Sequence, residues 1–182
     1  MSIDFFVYSR DAPGTAALRG DEALLEQHWS YMDRFAESMI ARGPTLRADR
    51  ETATGSLHIL GLPSVEAARE FVAREPNNRR GIYAEHTIWR FENLLGRTMW
   101  EFAGATDEPK LLVVARSPCR PVPPCAEVRD RLILYGALST LDEAEPVGVA
   151  LAVQARDREA ADPLLAAFPD VEEHCWEFGG RR

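Results

Sequence analysis

Lysine is nearly missing from this chain: its 182 residues include 20 arginines and one lysine, Lys110. Schiff-base chemistry therefore has a single candidate. Its place at the head of an apolar run predicts a strand-opening residue rather than a catalytic amine. Cysteine is scarce as well. Cys119, Cys125 and Cys175 are too few and too uneven for a disulfide framework, and the gap between the first two is not a zinc-knuckle spacing. There is no basic excess: the net charge is −8, divided as −3 over residues 1–105 and −5 over residues 106–182. Neither half has the cationic face that a phosphate backbone requires, so no nucleic-acid partner is expected. No apolar run approaches the length of a membrane-spanning helix, about 20 residues. The start Met1-Ser2-Ile3-Asp4 shows no charged segment ahead of a hydrophobic one. The expectation is a cytoplasmic protein with no membrane partner.

What is present is an internal echo. Gly43, Gly55 and Glu66-Ala67-Ala68 are matched 93 residues later by Gly136, Gly148 and Glu159-Ala160-Ala161. The run Gly55-Ser56-Leu57-His58-Ile59-Leu60 is answered without a gap by Gly148-Val149-Ala150-Leu151-Ala152-Val153. Further echoes join Leu111–Arg116 to Phe6–Arg10 and Trp176-Glu177-Phe178 to Trp100-Glu101-Phe102.

Local patterning fills in the elements. Ile3 to Tyr8 reads as a strand ending in the turn residues Asp11, Pro13 and Gly14. A helix is predicted over residues 21–42, with an acidic first turn, Gly43 just past its end, and an apolar stripe of Leu25, His28, Met32, Phe35 and Met39. A short strand follows Gly43-Pro44, and another covers residues 55–62. Ser64 then caps a second helix, residues 76–81 form a loop, and residues 82–91 form a fourth strand, with a continuation through Thr98–Phe102 considered. In the second part, strands are predicted over residues 111–116 and 171–178, and helices over 125–135 and 157–168.

The expected fold is α+β: two ferredoxin-like β-α-β-β-α-β units, residues 1–104 and 105–182, whose sheets cover each other as an intrachain pseudo-dimeric α/β barrel. The chain is expected to be a monomeric pseudo-dimer or a homodimer.

The first unit resembles the YciI-related family of the dimeric α/β-barrel group. The resemblance rests on Asp11-Ala12-Pro13-Gly14-Thr15, Glu26-Gln27-His28, Gly43-Pro44, Gly55-Ser56 and Glu75-Pro76…Gly81-Ile82-Tyr83-Ala84. The family usually has Asp-Pro where Glu75-Pro76 stands, and an arginine where Leu25 stands. The resemblance implies a His–Asp pair, His28 and Asp11, in a small pocket between sheet and helix. Such a pair would perform proton transfer, of lyase or isomerase type, on a small-molecule ligand without a cofactor. His58, Trp29, Tyr83, Gly43 and Pro44 are the candidate binding residues. Tyr31 and Trp100 are further aromatics that would wall a pocket or pack a core. No two of the four histidines are two or four residues apart, and no metal is expected. The second unit lacks both the histidine and the Asp-x-Pro-x-Thr turn, so it is expected to be a degenerate copy with a structural role. A non-catalytic binding or scaffold protein is the alternative, with His28 then a hydrogen-bonded core residue. A cofactor-free oxygenase on the same barrel is a third reading.

Overall fold

The first strand carries apolar side chains on both faces, and a sheet buried on both faces is what such a strand needs. A computed structural model, describing residues 2–105, 107–142 and 144–180, shows how both faces are covered. The elements in chain order are β1 (Ile3–Asp11), α1 (Ala16–Arg19), α2 (Glu22–Asp33), β2 (Met39–Leu46), β3 (Ala53–Leu62), α3 (Val65–Arg74), α4 (Pro76–Arg79), β4 (Tyr83–Asn93), β5 (Lys110–Arg116), α5 (Ala126–Arg129), β6 (Leu132–Ser139), β7 (Pro146–Gln154), α6 (Asp162–Leu165) and β8 (Asp170–Trp176). The strands close into a barrel in the order β1-β3-β2-β8-β5-β7-β6-β4, and neighbouring strands are antiparallel.

Both halves use the same order, β4-β1-β3-β2 and β8-β5-β7-β6, and the same register. Gly43 pairs with Leu57 and Gly136 with Ala150; Thr45 pairs with Gly55 and Leu138 with Gly148. Alternation along β1 sends Phe6 and Tyr8 into a core with Leu57, Leu112, Val114, Ala150 and Trp176, drawn from strands of both halves. Phe5 and Val7 point the other way, into a layer with Tyr31 and Met32 of α2 and Phe71 of α3. Among the described residues no helix is long and apolar enough to cross a membrane.

Two of the repeated glycines, Gly43 and Gly136, mark the seams between the halves. At one seam β2 meets β8; at the other β6 meets β4. A Cβ on Gly43 would lie 1.9 Å from the carbonyl oxygen of Glu177, and one on Gly136 would lie 2.2 Å from the Phe91 ring and 2.6 Å from the carbonyl oxygen of Glu92. Each seam brings another backbone over a position where only hydrogen fits.

Several sequence expectations need correction. The helix predicted over residues 21–42 stops at Asp33, and a 3-10 turn over Ala36–Ser38 leads into β2 at Met39. Residues 39–43 are all buried and all but Ile40 pair with β3, so ladder hydrogen bonds and burial on both faces override the helical spacing. Gly43 is therefore mid-strand rather than a helix cap. The helix predicted over 125–135 shrinks to α5 for the same reason, since residues 132–135 are buried in β6. The stretch predicted helical over 157–168 holds a 3-10 turn and α6, with Pro163 in its first turn. Residues 76–79, expected in a loop, form α4. Thr98 and Glu101 close a capping box around a 3-10 turn, so no strand continues there. Register also sets Trp176 opposite Lys110 as Phe91 is set in the other half, so the Trp-Glu-Phe echo is not a structural equivalence.

Candidate active site

Asp21 caps α2, its carboxylate accepting from Leu24 N at 3.0 Å, and Leu24, Tyr31 and Met32 turn inward. That stripe differs from the expected one: Leu25 is 36% exposed. His28 lies one turn beyond Leu24, with a side chain only 15% exposed.

His28 Nδ1 lies 2.6 Å from Glu75 Oε1. Glu75 is buried at the junction of α3 and α4, where its Oε2 also accepts from Asn78 N at 2.7 Å as the cap of α4. One carboxylate thus starts a helix and holds an imidazole. Asn77 Nδ2 lies 3.3 Å from the same Nδ1, but the shorter, charge-assisted contact to Glu75 determines the tautomer: Nδ1–H donates to the carboxylate. In the neutral ring the lone pair is then on Nε2, which has no hydrogen-bond partner among the described residues.

The expected His28–Asp11 pair is replaced by two separate pairs. Asp11 ends β1 just past a register shift, and Arg19 of α1 forks onto its carboxylate at 2.8 and 2.5 Å. A bidentate guanidinium occupies both oxygens that an imidazole would need. Asp11 and His28 are joined only through a relay. Arg19 reaches Ser56 Oγ at 3.1 Å, Tyr83 donates to the same Ser56 oxygen at 3.1 Å, and Asn77 links Tyr83 to His28.

A cavity of about 360 Å³ opens against this network. His28, His58, Trp29, Gly43 and Pro44 line it, together with Arg19 and Arg42. Tyr83 and Asp11 are not part of this lining. Tyr83 stands behind the wall, bonded to Ser56 and Asn77, and burial aided by the charge of Glu75 pushes its hydroxyl up to about 12. Of the other aromatics, Tyr31 packs against Phe35 and Phe71 and donates to the Phe71 carbonyl. Trp100 packs against the cores.

His58 lies with its ring 5.9 Å from that of His28. Burial first, then the neighbouring His28, Arg42 and Arg19, hold its pKa well below the ordinary 6.5. It is a neutral ring at neutral pH. Burial likewise lowers His86 and His174. Ser9 Oγ and Asn78 Oδ1 hold both nitrogens of His86, each at 2.8 Å. His174 sits beside Tyr8, 2.9 Å from Glu172.

Depressed folded-state values give a definite sign. Below about pH 6.5 the unfolded chain takes up protons that the folded chain refuses, so stability is full above that pH and falls on acidification. His58→Leu, which installs the residue of the matching position Leu151, should flatten this loss by about 1 kcal/mol per pH unit. Urea midpoints at pH 7.5 and 5.5 check it; an unchanged difference between the two pH values would show that His58 titrates normally.

The second half contributes to this cavity. Beyond β8, Phe178, Gly179 and Gly180 line its mouth, with Gly179 N donating to Arg42 O at 3.0 Å and Glu177 N to Pro44 O at 3.3 Å. Lys110, wholly buried where β5 opens, donates from Nζ to Glu177 Oε2 at 2.9 Å and to the Glu108 carbonyl at 2.8 Å. The lone lysine thus fastens the closing segment.

Sequence reasoning missed Glu75, Asn77, Arg19 and Arg42 as site residues. Only Glu75 carried a signal, an acidic residue before proline, which marks a helix start and sits in a family motif. Where the family's arginine is replaced by Leu25, Arg19 and Arg42 bring positive charge to the same cavity from other elements.

Residues 3–92 match the family model described as the YCII-related domain. Among solved structures the chain is similar to 5-chloro-2-hydroxyhydroquinone dehydrochlorinase from Burkholderia phenoliruptrix AC1100, in complex with 2,5-dihydroxybenzoquinone. The identity is 28% and the TM-score 0.43, over 47% of this chain and 90% of that one. A provisionally named chlorite dismutase matches at 11% identity and TM-score 0.54, over 97% of this chain and 95% of that one. A provisionally named monooxygenase from Fusobacterium nucleatum subsp. nucleatum ATCC 25586 matches at 6% identity and TM-score 0.50, over 97% and 92%. The last two likenesses speak to the fold alone. A comparison with curated proteins gives no match.

Proposed function

We propose, from the match of residues 3–92 to the YCII-related domain, that the chain is an acid–base enzyme of lyase or isomerase type acting on a small metabolite. The observation that supports this most is the His28–Glu75 pair on the wall of a cavity, with Nε2 unpartnered among the described residues. Nε2 takes a proton from the substrate, and the imidazolium that forms is stabilised by Glu75. The electron pair left on the substrate moves onto an oxygen or expels a leaving group. Arg19 and Arg42, which line the cavity, stabilise that negative charge. The same nitrogen then returns the proton to another carbon, for isomerisation, or to the departing group, for elimination. Base, orienting carboxylate and counter-charge are all side chains, so the scheme calls for no cofactor. Substrates that suit it are enolisable or phenolic molecules carrying negative charge.

In this reading residues 1–104 carry the site and residues 105–182 close the barrel and supply the cavity mouth. Leu151 and Val149 stand in the second half where His58 and Ser56 stand in the first, so the site is used once per chain. The barrel closes within one chain, and no second copy is needed to complete it.

The test combines nitrogen NMR with proton exchange. Long-range nitrogen–proton spectra of His28 should show Nδ1 protonated and Nε2 bare. A panel of enolisable and phenolic acids in deuterium oxide should include a compound whose exchange is accelerated by the wild type, and His28→Gln should lower that rate by about 10²-fold or more. An Nε2–H tautomer, or exchange indifferent to His28→Gln, would leave a binding protein in place of an enzyme.

A further inference from the structure

The second half has a cavity of its own. Shared register equates Pro44, Leu46 and Ala53 of the first half with Ala137, Ser139 and Pro146 of the second, and Gly179 with Leu94. The first set lines the His28 cavity. The second set lines a hollow of about 560 Å³. The barrel therefore opens a pocket at the same place in each half, beside the seam and over the second and third strands of the unit.

The two pockets differ in what covers them. Over the first, α1 and α2 bring Arg19 and His28. Over the second runs Ser117-Pro118-Cys119-Arg120-Pro121-Val122-Pro123-Pro124-Cys125, followed only by the single turn of α5. Four prolines restrict this segment, so little conformational entropy remains to be lost when a ligand arrives. Tyr135, wholly buried at the position Arg42 has in the first half, donates from its hydroxyl to Val122 O at 2.8 Å and pins the cover. Pro121, Pro123, Pro124 and Ala137 offer apolar walls. Arg120 and Arg129 also line the hollow, and neither forms an ion pair among the described residues; Glu92 is the one carboxylate in the lining. No histidine lines it.

We propose that this second cavity is a binding site for a small aromatic carboxylate. The ring lies among the proline rings and over Ala137, and the carboxylate meets Arg120 and Arg129. The volume falls within the usual range for small-molecule sites, about 300–1,000 Å³. Lacking an imidazole, the site holds its ligand without acting on it. The proposal stands independently of any reaction at His28.

Cysteine reactivity provides the test. Cys119 lines the cavity, whereas Cys125 is also exposed and lies outside the lining. With naphthalene-2-carboxylate as probe, alkylation of Cys119 should slow with half-saturation at about 0.1–1 mM, while Cys125 reacts at its unliganded rate. Ala137→Phe, which fills the cavity, should abolish the protection. Arg120→Gln with Arg129→Gln, which removes both exposed cations and, at Arg129, one hydrogen bond to Leu95 O, should weaken it about tenfold and serves where the phenylalanine variant fails to fold. No protection up to about 5 mM, equal slowing of both cysteines, or protection unchanged in the double arginine variant would each overturn the proposal.

Discussion

Glu75→Gln should cost about 10³-fold in turnover while leaving the barrel folded. The carboxylate has two separate tasks: Oε1 accepts from His28 Nδ1, and Oε2 accepts from Asn78 N. Glutamine has one acceptor oxygen. If that oxygen keeps the cap of α4, the amide nitrogen faces Nδ1 and forces the ring into the Nε2–H tautomer, which cannot take a proton from a substrate. If the oxygen serves His28 instead, α4 loses its cap at a cost of about 1 kcal/mol, and the developing imidazolium still lacks a counter-charge. Both outcomes lower the rate. Glu75→Asp keeps two acceptors and restores the acidic residue that the family usually has before this proline, so it should retain far more activity than the glutamine variant. The assay is proton exchange with whichever compound the screen identifies, alongside the His28 tautomer spectrum. Exchange by Glu75→Gln within about threefold of wild type would mean that the carboxylate only caps a helix.

Gly43→Ala should lower stability by about 3 kcal/mol or more, because the added methyl meets a backbone carbonyl and not a side chain that can rotate away. For a chain of this length that is a fall of about 6–12 °C in Tm. The contact is with Glu177 O at 1.9 Å, and Gly179 N and Trp176 Nε1 each stand 3.0 Å from the same point. Relief requires lifting the segment after β8 off β2, which breaks the Gly179–Arg42 and Glu177–Pro44 hydrogen bonds and opens the mouth of the cavity. The variant should therefore lose ligand affinity together with stability. Gly20→Ala is the control: its added carbon would have only Ala17 O within reach, at 3.6 Å, an ordinary contact. Scanning calorimetry on the two variants decides the matter; a Tm for Gly43→Ala within about 2 °C of wild type would show that the seam yields easily.

These two residues also show where sequence reading succeeds and where it stops. The equal spacing of Gly43, Gly55, Gly136 and Gly148 was visible in the chain, but it carried no information about what lay above each glycine. At Gly43 and Gly136 the cause is a strand or segment from the other half of the barrel, more than 130 residues away in the case of Glu177, and at Gly55 and Gly148 it is the neighbouring strand of the same half. The strands that begin the two halves were legible because burial on both faces demands a continuous apolar run, and Ser64 was legible because its cap acts within three residues.

The stretch after Asp33 was misread for a related reason. Met39 has both the spacing of a helical stripe and the character of a buried strand, and only pairing with Leu60 and its neighbours on β3 selects the strand. Burial of His28 on one face of a helix followed from periodicity. Its partner did not, because 47 residues, two strands and a helix separate it from Glu75. The sequence by itself determined the elements whose causes are local: apolar runs, caps, and the histidine on an inward-facing helix. Only the tertiary structure decided the boundary between α2 and β2, the carboxylate that orients the imidazole, and the arginines that give the cavity its charge. Hydrogen bonds and close contacts of that kind form between segments distant in the chain, and no spacing within one segment records them.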